Sequence, residues 1–114
     1  MHELSIALGI VEAAQEELER EGGRVGAVHL RIGELTGVVR EALLSSYEMA
    51  CMDTPLEGSR LVIEHVPIVV FCSQCDALRA VPSLQWFCCS DCGTPTGDVR
   101  QGRELELVAL EIEQ

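Results

Sequence analysis

Cys72-Ser73-Gln74-Cys75 and Cys89-Ser90-Asp91-Cys92-Gly93 are two C-x-x-C units with thirteen residues between them, and their reading decides the fold. Two residues between thiolates let one tight turn aim both sulfurs at a single ion, and an intervening hairpin brings two such turns together as a tetrahedron. The expected ion is Zn(II), held by Cys72, Cys75, Cys89 and Cys92. Gly93, directly after the last ligand, is free to take positive φ where the chain curls beneath the sulfurs. Asp76 occupies the equivalent place after the first turn and is among the residues that tolerate that conformation. Cys88 competes with Cys89 for the third position through a C-x3-C register, but only Cys89 makes the two turns alike. Four thiolates saturate zinc and leave no position for water, so a structural ion is expected rather than a hydrolytic one.

Working outward, residues 67–102 enclose both turns, three of the four prolines and the only tryptophan, with little amphipathic pattern. They read as an inserted zinc-binding subdomain, and residues 1–66 with 103–114 as its host. In the host, Leu4, Ala7, Leu8, Val11, Ala14 and Leu18 recur at steps of three and four, which predicts a one-faced helix stopped by Gly22-Gly23. From Val25 to Gly33 the step becomes two, with Val28, Leu30 and Ile32 on one face and Ala27, His29 and Arg31 on the other. That is a strand with one wet face. After the loop Gly33-Glu34-Leu35-Thr36-Gly37, a shorter amphipathic helix is expected from about Val39 to Met52, then a second strand from Arg60 to Val66. A third strand is expected over residues 104–113, where Leu105 and Leu107 change face relative to Leu110 and Ile112. Such a switch calls for either a bulge near Val108-Ala109 or cover on both faces.

Eight basic and nineteen acidic side chains give a formal charge of −11. Nucleic-acid binding is thereby excluded as the main activity, since phosphate contacts need a basic surface. The insertion offers no hidden one, its Asp76, Asp91 and Asp98 outnumbering Arg79 and Arg100. A hydrophobic fraction of 47% predicts a folded chain. No run of about eighteen uncharged apolar residues exists to span a membrane. The N-terminus has neither a basic n-region nor a small-residue cleavage site, so a cytoplasmic protein is expected. Signatures of metalloprotease, serine hydrolase and phosphate-loop chemistry are absent, and no enzyme activity is expected.

His2 places an imidazole beside its own backbone amide and one residue from the Met1 amine. With the amide or carboxylate of Glu3, these nitrogens make a planar, nitrogen-rich set that suits Ni(II) or Cu(II). The alternative is that Met1-His2-Glu3 simply opens a helix, with Glu3 favourable at the positive end of its dipole. His29 on a polar face and His65 on an apolar one form no metal motif by spacing, and Cys51, sharing a helix face with Tyr47 and Leu43, reads as a core thiol.

Taken together, Met1-His2-Glu3-Leu4-Ser5-Ile6-Ala7, Ile32-Gly33-Glu34-Leu35-Thr36-Gly37-Val38, Glu57-Gly58 through Leu61-Val62-Ile63-Glu64, the paired C-x-x-C units, and Glu104-Leu105 to Glu111-Ile112-Glu113 resemble one family in order along nearly the whole chain. The sequence resembles the HypA/HybF nickel metallochaperones of nickel–iron hydrogenase maturation. The resemblance implies an α+β fold, two helices packed on a small three-stranded sheet, with an inserted four-cysteine zinc ribbon. It implies Ni(II) as cargo at His2 with Met1 and Glu3 as neighbours, and structural Zn(II) at Cys72, Cys75, Cys89 and Cys92. It further implies two partners, a nickel-handling maturation GTPase and the hydrogenase large-subunit precursor. The doubled Cys88-Cys89 departs from that family's usual single cysteine. Two other classes fit parts of the sequence: a zinc-ribbon interaction adaptor in which His2 is incidental, and a redox C-x-x-C protein, which suits two paired turns less well than a closed metal site.

Overall fold

The computed structural model describes residues 3–114. Helix α1 spans Glu3–Glu21 and strand β1 Arg24–Gly33; a 3-10 turn covers Glu34–Thr36, followed by helix α2, Arg40–Cys51. Strands β2 (Arg60–Val66), β3 (Val69–Cys72), β4 (Ala77–Ala80), β5 (Val99–Gln101) and β6 (Leu105–Glu113) complete the chain. Two three-stranded sheets result, one ordered β2-β1-β6 and the other β4-β3-β5. The fold is therefore α+β, with a second sheet inside the insertion that hydropathy patterning did not announce.

The chain divides into two compact units. One holds the described residues up to Arg31 together with Gly37–Glu64 and Glu106–Gln114; the other holds Ile32–Thr36 and His65–Leu105. In the first unit α1 packs on α2. Ala7, Ile10, Val11, Ala14 and Leu18 of α1 are buried, as are Leu43, Tyr47 and Cys51 of α2 and Val25, Ala27, Val28 and Leu30 of β1. Leu4 and Leu8, expected on the inner face, are 43% and 52% exposed, while Ile10 takes the inner place. The buried stripe is thus rotated toward Ile10 from the expected one, keeping Ala7, Val11, Ala14 and Leu18 in common.

Among the described residues β6 is an edge strand, and cover on both of its faces does not occur. Leu105, Leu107 and Val108 are exposed and only Leu110 and Ile112 half-buried. His65 is exposed rather than tucked into the apolar face, and His29 is not freely solvated, since its Nε2 pairs with Glu111 Oε2 at 2.5 Å. That contact holds Glu111 below the usual carboxylate range. No described helix is long and apolar enough to cross a membrane.

The second unit has its own small core of Val66, Ile68, Val70, Cys72, Cys88 and Cys89. β3 is its central strand, antiparallel to β4 with Val69 opposite Ala80 and Cys72 opposite Ala77, and antiparallel to β5 on the other side. A close backbone crossing locks the unit where the Gly33 amide donates to the Glu104 carbonyl (2.7 Å) and the Leu35 amide to the Gly102 carbonyl (2.9 Å). A Cβ at residue 33 would fall far inside contact with the Gly102 carbonyl, so this crossing requires glycine.

Candidate metal centre

Each C-x-x-C unit sits on a hydrogen-bonded turn that the local sequence dictates. The first turn closes the β3–β4 hairpin: Cys72 ends β3, and Asp76, at φ 53°, reverses the chain into β4. The second is closed by a bridge between Cys88 and Pro95, with the Cys89 amide donating to the Thr94 carbonyl (2.8 Å) and the Gly93 amide to the Cys89 carbonyl (2.9 Å). Gly93 has φ 79°, so both turns use the left-handed residue expected of them.

The turns also treat their sulfurs alike. The Cys75 amide points at Cys72 Sγ (3.5 Å), and the Asp91 and Cys92 amides at Cys89 Sγ (3.4 Å each). Across the turns Cys72 Sγ lies 3.6 Å from Cys92 Sγ, and Cys75 Sγ 3.8 Å from Cys89 Sγ. All four sulfurs fall within 4.8 Å of one another. A tetrahedral zinc with bonds of about 2.3 Å would set its sulfurs about 3.8 Å apart, so the donor set fits that ion in size and chemistry. Cys88, although buried, stands outside the cluster.

Hydrogen bonding prepares one turn for metal more than the other. The hydroxyl of Thr94, 3.1 Å from Cys92 Sγ, leads in lowering the Cys92 thiol to about 6, helped by a backbone amide. The amides of Cys92 and Asp91 lower Cys89. Cys75, which hydrogen-bonds to its neighbouring thiols, Cys92 foremost, is pushed up to about 12 without a metal. A bound cation would invert that last shift by displacing the proton. Arg79 lies against this centre, its Nη2 3.8 Å from Asp91 Oδ2 and its Nε buried without a hydrogen-bond partner. Burial opposes its charge, but thiolate at Cys75, with Asp91 and Cys89, outweighs that and raises its pKa. Thr94 and Arg79 were missed in the sequence. A hydroxyl two residues after the last cysteine was a visible signal for Thr94, whereas nothing local marked Arg79.

Met1 and His2, the expected nickel residues, lie outside the described residues. Glu3 opens α1, and its Oε2 accepts the Val39 amide (3.1 Å) at the N-cap of α2. Cys51 is a buried thiol whose pKa burial raises, apart from the cluster. His29 and His65 join no metal-holding group among the described residues.

Over residues 1–112 the chain matches the family described as hydrogenase/urease nickel incorporation, metallochaperone, hypA. The chain belongs to the HypA family. It is similar to the hydrogenase maturation factor HypA of Roseiflexus sp. (strain RS-1), 49% identical over 114 residues, 99% of this chain and 93% of that one. It is also similar to the HypA of Chloroflexus aurantiacus, 51% identical over 112 residues, 97% of this chain and 98% of the other. A solution structure of the nickel metallochaperone HypA from Helicobacter pylori shares the fold, with a TM-score of 0.66 at 21% identity, covering 98% of this chain and 97% of that one. A second HypA solution structure gives 0.72 at 21% identity, covering 99% and 97%. As a HypA-family protein the chain is a metallochaperone of hydrogenase maturation, a carrier and not a catalyst.

Proposed function

We propose that this chain takes up Ni(II) as cargo at its N-terminus, through the Met1 amine, the His2 imidazole and the adjoining amides, and passes it to the hydrogenase large-subunit precursor. Membership of a nickel-incorporation family over residues 1–112, by a chain carrying His2 beside Met1, is the observation that carries this reading. Glu3 completes the set through its backbone nitrogen or through its carboxylate, of which Oε2 also accepts the Val39 amide. A planar four-nitrogen set built from amine, amides and imidazole is one that Ni(II) favours. Zn(II) is the resident ion, held by Cys72, Cys75, Cys89 and Cys92 in a closed site that stabilises residues 67–102, while residues 1–66 and 103–114 handle nickel. A nickel-handling maturation GTPase is the second partner, met in the cytoplasm. The exposed Glu12, Glu16 and Glu19 of α1 support electrostatic steering toward a basic partner surface.

Calorimetric nickel titration, with zinc quantified on the same samples, tests the assignment. One Ni(II) is expected beside one zinc; His2→Ala abolishes specific uptake, and a residue fused ahead of Met1 weakens it by converting the amine into an amide. Both variants keep zinc. Undiminished nickel binding by His2→Ala overturns the proposal, and a protein that takes zinc and nothing else is an adaptor instead.

A further inference from the structure

Arginine supplies every one of the eight cations in this chain, against nineteen carboxylates. Six are held by acceptors: Arg20 by Glu17, Arg24 by the Glu57 carbonyl, Arg31 by Glu64 and Glu106, Arg60 by Glu111, Arg79 by Asp91 and Arg100 by Asp98. Arg40 and Arg103 have no such partner among the described residues. Arg40 stands exposed in the first turn of α2. Arg103 instead borders a cleft of about 400 Å³, lined also by Leu35, Thr36, Phe87, Gly97 and Val99.

The backbone beside Arg103 is fixed from several directions. The Gly102 amide donates to Glu104 Oε1 (2.8 Å), its carbonyl accepts from Leu35, and the Glu104 carbonyl accepts from Gly33. At φ 120° Gly102 lies against Ile68, too close for a Cβ to fit without displacement. A guanidinium held on such a frame has no internal pair to break before it meets a ligand, which lowers the cost of binding. Its planar fork matches a carboxylate with two parallel hydrogen bonds.

We propose that this cleft docks an extended segment of a partner protein that presents one carboxylate beside an apolar side chain. Arg103 takes the acid, and Leu35, Phe87 and Val99 take the apolar neighbour. The charge of −11 limits the acid to one, because a run of carboxylates would be repelled at every position beyond contact with Arg103. A second copy of the chain would bring that same charge, so a different protein is the occupant. The proposal stands apart from nickel uptake, and the failure of either leaves the other intact.

The test uses the zinc-loaded full chain, labelled with nitrogen-15, and two probes: N-acetyl-Leu-Glu-amide and N-acetyl-Leu-Gln-amide. The glutamate probe is expected to shift the amides of Leu35, Phe87, Gly97 and Val99 on one saturable curve, together with Arg103 Nε. The glutamine probe should bind about fivefold more weakly, the range of a single exposed ion pair. Arg103→Gln should reduce the glutamate probe to that same level, and Arg40→Gln should leave it unchanged. Because the Arg103 side chain is exposed and unpaired, the variant retains the fold, which its own amide spectrum checks. Absence of a saturable shift, equal binding of the two probes, or indifference to Arg103→Gln overturns the proposal.

Discussion

Cys89 Sγ receives two backbone amides and lies 3.8 Å from Cys75 Sγ, whereas Cys88, its neighbour in sequence, contributes its backbone to the bridge with Pro95. Cys88→Ala is therefore expected to keep zinc with a modest loss of core packing, and Cys92→Ala to lose it; metal analysis of the purified variants reads both. Retention of zinc by Cys89→Ala together with its loss in Cys88→Ala would reverse the register, since Cys92 is the fourth ligand in either. In the nickel site proposed at the other end of the chain, protons would compete with the ion for an imidazole of unperturbed pKa about 6.5 and an amine of about 7.7 to 8.0. Both nickel donors gain protons on acidification, so nickel should dissociate first between pH 8 and pH 5. In the proposed zinc site four thiolates share the ion, with Cys92 lowered to about 6 and Cys75 raised to about 12 before metal binds, so zinc should hold through the closed donor set as a whole. Parallel metal titrations across that range check the order, and loss of both ions in one step would contradict separate sites. At this scale the sequence was legible wherever chemistry repeats itself, since two copies of one turn carry the same ligands and the same left-handed residue. Arg79 was not legible, because what places it beside the thiols is the β3–β4 pairing rather than any neighbour in the chain.

Among elements, α1 was legible from its period, although its inner face lies toward Ile10 and leaves Leu8 outside. Periodicity reports that a helix has one apolar side; where the apolar stripe is wider than the contact, packing chooses which edge is buried. β3, β4 and β5 were missed because they have four, four and three residues, too few for a period of two to register. Backbone pairing and glycine crossings hold them, so glycines should respond unequally to one added methyl. Gly33→Ala drives a Cβ into the Gly102 carbonyl and is expected to destabilise by more than about 2 kcal/mol. Gly9→Ala, inside α1 with no atom within 4 Å of the new Cβ, should stabilise by about 0.5 to 1 kcal/mol through helix propensity. Thermal melts of the zinc-loaded variants decide it, and equal shifts would show that the backbone crossing yields.

For the whole molecule, division into two compact units means that stability has two different sources. The first rests on aliphatic burial between α1, α2 and β1, as a chain with only 4% aromatic residues must. The second has a core too small to stand on burial alone, and metal binding in comparable small modules contributes about 10 to 16 kcal/mol. Chelating zinc should therefore abolish amide-exchange protection over residues 67–102 while α1 keeps its own; protection of β3 surviving zinc removal would refute this. The paired turns and the weak amphipathic pattern of residues 67–102 carried the expectation of an insertion, but not the second sheet or the exposed edge of β6, which depend on partners distant in the chain. For a protease that cuts after basic residues, a chain without lysine offers few places, and between Arg60 and Arg100 only one, Arg79. Arg79 and Ala80 are paired in β4 with Val70 and Val69 of β3, so the Arg79–Ala80 bond is held out of a protease's cleft while the second unit stays folded. Trypsin thus becomes a gauge of zinc loading: a fragment ending at Arg79 accumulates in proportion to the molecules that have lost their ion.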